Sequence, residues 1–142
     1  MEKILLTQKY LNELTYEIIG AAIEVHKELG PGLLESVYEH CMFFLLREKG
    51  LKVSRQQTIP VEFRGHKLEC FLRFDLMVED VIIVEIKSLE FLTKLSEAQL
   101  LTYLKLLDKP KGILLNFNSL NIFKEGQKTI VTSLFSRLPS GY

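Results

Sequence analysis

The sequence lacks a net charge. Its 18 lysine and arginine residues are balanced by 18 aspartate and glutamate residues. No overall electrostatic field therefore draws the chain to nucleic acid or to an anionic membrane, which argues against a dedicated non-specific DNA-binding protein. A protein that contacts DNA only briefly, with metal ions supplying positive charge locally, does not need such a field.

Long hydrophobic runs and paired cysteine motifs are also missing. The longest strongly apolar run covers residues 41–46, whereas crossing a bilayer takes roughly 20 residues. The N-terminal residues contain no hydrophobic signal core. Cys41 and Cys70 lie too far apart for a C-x-x-C metal motif, so we expect two reduced thiols. These absences predict a soluble cytoplasmic protein without membrane contact.

The length and composition are those of one globular domain. The chain has 142 residues, of which 47% are hydrophobic and 25% charged. A chain of this size buries about two thirds of its unfolded surface in one core. With no internal repeat and no low-complexity tract, we expect a single domain over residues 1–142.

Three stretches have the apolar period of a helix. The first covers residues 11–29 and ends at Gly30 and Pro31, and the second runs from about Gly32 to Lys49, where Gly50 stops it. The third spans about residues 95–107. The apolar face predicted for the first helix is Leu11, Leu14, Ile18, Ala22, Val25 and Leu29. The face predicted for the third is Leu95, Ala98, Leu101, Leu104 and Leu107.

The stretches between the second and third helices have the period of strands. Residues 52–63 are expected to be extended, with Pro60 at an edge or a bulge, and a turn follows at residues 64–66. Residues 67–78 and 81–87 form a predicted hairpin whose turn begins at Glu79 and Asp80. Leu72, Phe74, Leu76 and Val78 are expected to share one face of its first strand.

The chain returns to the sheet after the third helix. A buried strand is predicted at residues 112–118 and a short one at about 130–134, followed by a frayed tail at residues 137–142. A meander of strands followed by a helical crossover predicts an α/β fold with a mixed central sheet flanked by helices.

Charged residues end the apolar strand predicted at residues 81–87. Strand geometry puts Glu85 and Lys87 on one face, and Asp75 joins them only if the hairpin pairs it opposite Glu85. That pairing requires a turn with an odd number of residues or a bulge, because a two-residue turn would pair Asp75 with Val84.

This constellation is suited to metal-assisted hydrolysis. Carboxylates of Asp75 and Glu85, with the backbone carbonyl of Ile86, would give Mg²⁺ or Mn²⁺ the hard oxygen ligands that it prefers. Lys87 would orient or deprotonate an attacking water, or stabilise charge on a phosphate. The alternative is a solvated surface pair of Glu85 and Lys87 with little energetic weight.

The stretch LGPGLLESVYEHC, with Gly32, Glu35 and Tyr38, resembles the signature of the GxxExxY protein family, which is assigned to the PD-(D/E)XK nuclease superfamily. The resemblance extends from the first helix to the strand GILLNF. It implies an α-β-β-β-α-β core, which agrees with the predicted elements once an extra N-terminal helix is added. Phe74 stands where the superfamily's name has proline.

The resemblance carries site roles onto further residues. It implies that Glu35 completes the metal site, although an acid in the first turn of a helix is also favoured by the helix dipole. Gln99 and Tyr103 are similar to the Q-x-x-x-Y element of RecB-like exonucleases. They share a helix face and would reach a phosphate or orient Lys87, unless Tyr103 simply packs in the core.

Three hypotheses of function follow. The first is a Mg²⁺- or Mn²⁺-dependent nuclease that binds DNA or RNA transiently. The second is a catalytically silent module with the same fold that acts through a protein partner or as a homodimer. The third is a small-molecule hydrolase that uses the same metal.

Overall fold

The computed structural model describes residues 5–142 and confirms the predicted α/β architecture. Its helices are α1 (Gln8–Leu29), α2 (Glu35–Glu48), α3 (Lys94–Leu106), α4 (Ile122–Glu125) and α5 (Ser133–Ser136). Its strands are β1 (Val53–Arg55), β2 (Thr58–Phe63), β3 (His66–Arg73), β4 (Leu76–Val78), β5 (Ile82–Lys87), β6 (Lys111–Asn116) and β7 (Gln127–Val131).

Five strands form a mixed sheet in the order β1-β4-β5-β6-β7. β5 and β6 run parallel, because α3 lies between them in the chain, while every other neighbouring pair is antiparallel. β2 and β3 form a separate two-stranded sheet.

Helices cover both faces of the five-stranded sheet. Side chains from α1 and α2 pack on one face in a core that contains Leu76, Val84 and Ile86. Side chains from α3 pack on the other face with Met77 and Ile83. β5 is therefore buried on both sides, which explains its nearly unbroken apolar sequence.

The first helix has the predicted apolar face, with one exception. Leu11, Leu14, Ile18, Ala22 and Val25 are buried, whereas Leu29 at the end of the helix is exposed. The second helix begins at Glu35, three residues later than predicted. Gly30 and Gly32 both have positive φ, 70° and 98°, so this segment forms a loop instead of a helical turn.

The apolar face predicted for the third helix is not the face that the structure buries. Among the predicted residues only Leu104 is buried, while Leu95 is exposed. The buried side chains are Ser96, Leu100, Tyr103 and Leu104. Leucines occur around most of this helix, so its hydrophobic period does not select one face. Leu100, Tyr103 and Leu104 pack in the core on this side of the sheet, and Leu100 lies close over Gly112 on β6.

The long strand predicted at residues 67–78 is interrupted. Residues 74 and 75 separate β3 from β4, and the break moves Phe74 into the core on the α3 side, whereas Leu76 lies in the other core. The prediction that Phe74 and Leu76 share a face is therefore wrong. The bulge predicted near Pro60 is confirmed by a shift in the register of β2 between Pro60 and Glu62.

The C-terminal part also departs from prediction. The last strand lies at residues 127–131, and residues 133–136 form a helical turn. The tail does not fray, because carbonyl oxygens of Pro139 and Ser140 accept hydrogen bonds from the N–H groups of Gln8 and Lys9, at 2.9 Å each. They satisfy N–H groups that have no partner within the first turn of α1.

Within residues 5–142, no helix combines the length and the hydropathy needed to span a bilayer. Neither Cys41 nor Cys70 forms a disulfide in this structure.

Candidate active site

The turn between β4 and β5 gives the pairing that a site at Asp75 requires. Val78 pairs with Ile82, so the turn contains the three residues Glu79, Asp80 and Val81. Glu79 and Asp80 adopt positive φ, 50° and 59°. The ladder ends at the pair Leu76 and Val84, and the next residues, Asp75 and Glu85, are joined by a hydrogen bond from the N–H of Asp75 to the Glu85 side chain.

Backbone hydrogen bonds between the two segments fix both carboxylates. The N–H of Asp75 donates to Oε1 of Glu85 at 3.0 Å, and the N–H of Ile86 donates to Oδ2 of Asp75 at 2.8 Å. Each carboxylate is thus held by the backbone of the opposite segment. Glu85 is only 5% exposed, so water solvates it poorly.

Burial and proximity make this pair costly to ionise. Burial, followed by repulsion from Asp75, raises the pKa of Glu85 to about 8. Burial also raises the pKa of Asp75, the N–H of Ile86 partly offsets this effect, and the charge of Glu39 adds to it. Two desolvated carboxyl groups side by side favour either a shared proton or a bound cation.

The carbonyl of Ile86 lies on the same side of β5 as Asp75. The carbonyl of Lys87 accepts a hydrogen bond from the N–H of Phe117, on the β6 side. Carbonyl groups alternate in direction along a strand, so the carbonyl of Ile86 points to the other side, as its N–H group does. Asp75, Glu85 and Ile86 therefore direct oxygen atoms toward one region.

Lys87 lies one pleat beyond Glu85, on the same face of β5, and is partly buried. Its Nζ donates to Oε1 of Gln99 on α3 at 3.4 Å. Tyr103, one turn farther along α3, is 7% exposed. Burial, with the charges of Glu85 and then Asp75, raises the pKa of its phenol, which places the phenol within the field of the carboxylates. The structure thus brings Gln99 and Tyr103 to the carboxylate face of the sheet.

Glu35 reaches the end of β5 from α2, which packs on the face of the sheet opposite α3. It lies in the first turn of α2, and its Oε1 accepts a hydrogen bond from the N–H of Ser88 at 3.1 Å. Its charge also raises the pKa values of Asp75 and Glu85. Ser88 directly follows Lys87, so Glu35 is held next to the end of β5.

Sequence reasoning missed two polar residues beside Asp75. Glu39 is 5% exposed and lies one helical turn after Glu35. Nε2 of Gln56 donates to a carboxylate oxygen of Glu39 and, at 3.4 Å, to Oδ1 of Asp75. The four-residue spacing from Glu35 gave a signal for Glu39. Gln56 had no comparable signal, because its position depends on the break between β1 and β2, where its φ is 53°.

The oxygen atoms present fit a hard divalent cation. Within residues 5–142, no three His, Cys, Asp or Glu side chains form a group that would hold a metal ion. Asp75 and Glu85 would supply the carboxylate ligands, with the carbonyl of Ile86 beside them, because backbone hydrogen bonds hold both carboxylates at the end of β5. Mg²⁺ keeps several waters and is commonly bound through one or two carboxylates, so this limited set is sufficient. A cation would also relieve the repulsion that raises both pKa values.

One of three comparisons with known proteins gave a match. A family model described as the PD-(D/E)XK nuclease superfamily matches residues 12–130, which include every candidate site residue named above. The searches of curated proteins and of solved structures gave no match.

Proposed function

Because the chain belongs to the PD-(D/E)XK nuclease superfamily, we propose that it is a nuclease that hydrolyses phosphodiester bonds in DNA or RNA. Members of this superfamily generally use divalent metal ions, and we propose Mg²⁺ or Mn²⁺ here. One observation carries the proposal: backbone hydrogen bonds hold the carboxylates of Asp75 and Glu85 beside each other at the end of an apolar strand, where Glu85 is buried and Asp75 is partly buried.

The proposed ligands are the carboxylates of Asp75 and Glu85 and the carbonyl of Ile86. A bound divalent ion would lower the pKa of a water ligand and neutralise charge on the phosphate. The hydrogen bonds from the backbone keep the carboxylates of Asp75 and Glu85 in place before a metal arrives. The site is then largely preorganised, which reduces the cost of binding.

Lys87 is the proposed catalytic cation. Its ammonium group lies on the carboxylate face of β5, where it would stabilise charge on a phosphate oxygen or orient the attacking water. The hydrogen bond to Gln99 restricts the position of Nζ. We propose that Gln99 and Tyr103 line the phosphate-binding side and that Glu35 completes the site directly or through water.

A cleavage assay tests this proposal. Purified protein is incubated with Mg²⁺ or Mn²⁺ and a panel of labelled single- and double-stranded DNA and RNA substrates. Asp75→Ala and Lys87→Ala should each reduce the cleavage rate by at least about 100-fold, because each removes a group needed in the transition state. The matched control Lys27→Ala removes an exposed lysine on α1 and should cleave at the wild-type rate.

The assay also separates the alternatives. Absence of cleavage over the whole panel, or cleavage that survives both substitutions, would contradict the nuclease proposal. A catalytically silent module that acts through a protein partner or as a homodimer predicts no metal-dependent cleavage of any substrate. A small-molecule hydrolase predicts activity toward phosphate esters that is lost on the same two substitutions without any cleavage of nucleic acid.

Narrower assignments are part of the same proposal. We propose membership in the GxxExxY family, supported by Gly32, Glu35 and Tyr38. We further propose that the 142 residues act as one domain, supported by the family match over most of their length. A reducing, cytoplasmic location is proposed from the two cysteines that are not joined in a disulfide.

A further inference from the structure

The loop between α1 and α2 is closed by a buried hydroxyl group. Tyr38 has no exposed surface, and its ring stacks on Phe117 with 4.5 Å between ring centroids and an interplanar angle of 12°. Its OH donates to the carbonyl of Gly30 at 2.6 Å and accepts from the N–H of Leu33 at 3.0 Å. The stacked ring therefore fixes the hydroxyl, and the hydroxyl fixes both ends of the loop.

Glycine makes this loop conformation accessible. Gly32 has φ of 98°, a region that a residue with a side chain rarely adopts. The chain can therefore turn directly between Gly30 and Leu33 and begin α2 at Glu35. The G-x-x-E-x-x-Y pattern thus combines three features: Gly32 in the turn, Glu35 at the start of α2, and Tyr38, whose hydroxyl holds the turn.

The same loop is tied to the end of β5 through Ser88. Oγ of Ser88 donates to the carbonyl of Leu33 at 3.1 Å, and the N–H of Ser88 donates to Oε1 of Glu35 at 3.1 Å. The residue before Ser88 is Lys87. Leu33 is consequently bonded on one side to Tyr38 and on the other to Ser88.

This arrangement gives Glu35 a fixed partner. A glutamate in the first turn of a helix can satisfy the unpaired N–H groups of its own helix. The carboxylate of Glu35 accepts instead from the residue after Lys87, on a different element. Fixing an exposed glutamate side chain in one contact costs rotamer entropy. The contact is therefore more stable when the backbone on both sides of it is held in place.

We propose that Tyr38 and Ser88 are positioning residues that clamp the loop at residues 30–33 and thereby hold the carboxylate of Glu35 at the end of β5, next to the proposed metal site. The proposal rests on the nuclease function for its purpose, but the clamp itself is a property of the metal-free protein. Tyr38 and Ser88 act through Glu35 and do not contact substrate.

The first test measures hydrogen exchange of the Ser88 amide by NMR in metal-free protein. Glu35→Ala removes the acceptor and should speed this exchange about tenfold, as expected for loss of one hydrogen bond to a charged group. Tyr38→Phe keeps the ring but deletes the hydroxyl and should produce a similar increase. The double variant should exchange no faster than Glu35→Ala alone, because Tyr38 acts through Glu35.

Controls separate positioning from general destabilisation. The amide of Ile113, in the buried strand β6, reports global opening, so the Ser88 rate is compared with the Ile113 rate in each variant. Ser88→Ala should loosen the clamp, while Ser88→Thr keeps a hydroxyl and should retain wild-type protection. Tyr16→Phe, at a tyrosine that is 78% exposed, should change neither rate.

The second test measures the Mg²⁺ concentration that gives half-maximal cleavage. Tyr38→Phe should raise it several-fold in the wild-type background and leave it unchanged in the Glu35→Ala background. Two results would overturn the positioning role: additive effects of Tyr38→Phe and Glu35→Ala, or equal acceleration of amide exchange at Ser88 and Ile113. The nuclease function would still stand if the wild type cleaved nucleic acid. If the effects of Tyr38→Phe and Glu35→Ala on exchange of the Ser88 amide are coupled but the wild type cleaves no substrate, the clamp is supported and the nuclease function is contradicted.

Discussion

The carboxyl groups of Asp75 and Glu85 oppose the stability of the metal-free protein. Glu85 is buried and Asp75 is partly buried, and burial, followed by repulsion from Asp75, raises the pKa of Glu85 from 4.5 to about 8. The folded protein therefore retains a proton at Glu85 that the unfolded chain releases above about pH 4.5. The stability associated with this group is fully present below pH 4.5 and is lost as the pH rises through about 8.

Glu85→Gln should remove most of this pH dependence. In metal chelator, we expect the free energy of unfolding of the wild type to fall by a few kcal/mol between pH 5 and pH 8. The glutamine variant, which cannot ionise, should show a flatter profile and be the more stable protein at pH 8. Urea unfolding at a series of pH values measures both.

The control for this experiment is Glu28→Gln, at an exposed position of α1. It should leave the wild-type slope unchanged. A Glu85→Gln variant with the same pH slope as the wild type would show that Glu85 ionises normally in the folded protein.

The site was predictable only where it depends on local geometry. Alternation along one strand placed Glu85 and Lys87 together, since side chains of a strand point to alternate faces. Asp75 depended on the length of the hairpin turn, and the three-residue turn could not be told from a two-residue turn by sequence. Gln56 was not predictable, because the packing of separate elements brings it to Asp75.

At the scale of elements, α3 packs closely on β6. A Cβ atom at Gly112 on β6 would lie 2.9 Å from Cδ1 of Leu100. Leu100 thus packs directly on the backbone of β6, where any larger residue would displace it.

Gly112→Ala should destabilise the protein by about 1–3 kcal/mol through overpacking. In a Leu100→Ala background the same substitution should cost much less, since the obstructing side chain is absent. Chemical denaturation of the two single variants and the double variant measures the coupling.

Gly20→Ala is the matched glycine control. Among residues 5–142, nothing lies within 4 Å of a Cβ at this position in α1, and alanine there should stabilise the protein by about 0.5–1 kcal/mol. Equal costs of Gly112→Ala in both backgrounds would contradict the contact with Leu100.

The order of the three long helices and of the strands predicted between and after them followed from clear changes of periodicity along the chain, whereas the short helices α4 and α5 were not predicted. The face of α3 was not predictable, since leucines occur around most of the helix and packing against the sheet decides which of them are buried. Other differences arise where one element meets the next. The positive φ of Gly32 delays the start of α2, and the positive φ of Gln56 separates β1 from β2. Such junctions are set by hydrogen bonds between distant residues, which a local pattern does not encode.

At the scale of the whole molecule, zero net charge limits how the protein binds nucleic acid. Affinity for a polyanion falls with salt in proportion to the number of phosphates that basic side chains neutralise. With balanced charges and acidic residues at the site, we expect few such contacts.

Binding of a short fluorescent DNA to the Lys87→Ala variant, which should not cleave it, gives the measurement. A plot of log affinity against log KCl concentration at fixed Mg²⁺ should have a slope no steeper than about −3, corresponding to roughly three phosphates. A slope near −6 or beyond would reveal a broad basic surface and contradict this account.

The central claim is that Asp75 and Glu85 together hold a divalent metal ion. A crystal structure of the protein soaked with Mn²⁺, with anomalous difference density calculated at the manganese edge, tests it most directly. We predict one strong peak between the two carboxylates, within about 2.0–2.4 Å of an oxygen of each and close to the carbonyl oxygen of Ile86. Full occupancy of Mn²⁺ elsewhere on the protein, with no peak between Asp75 and Glu85, would contradict it.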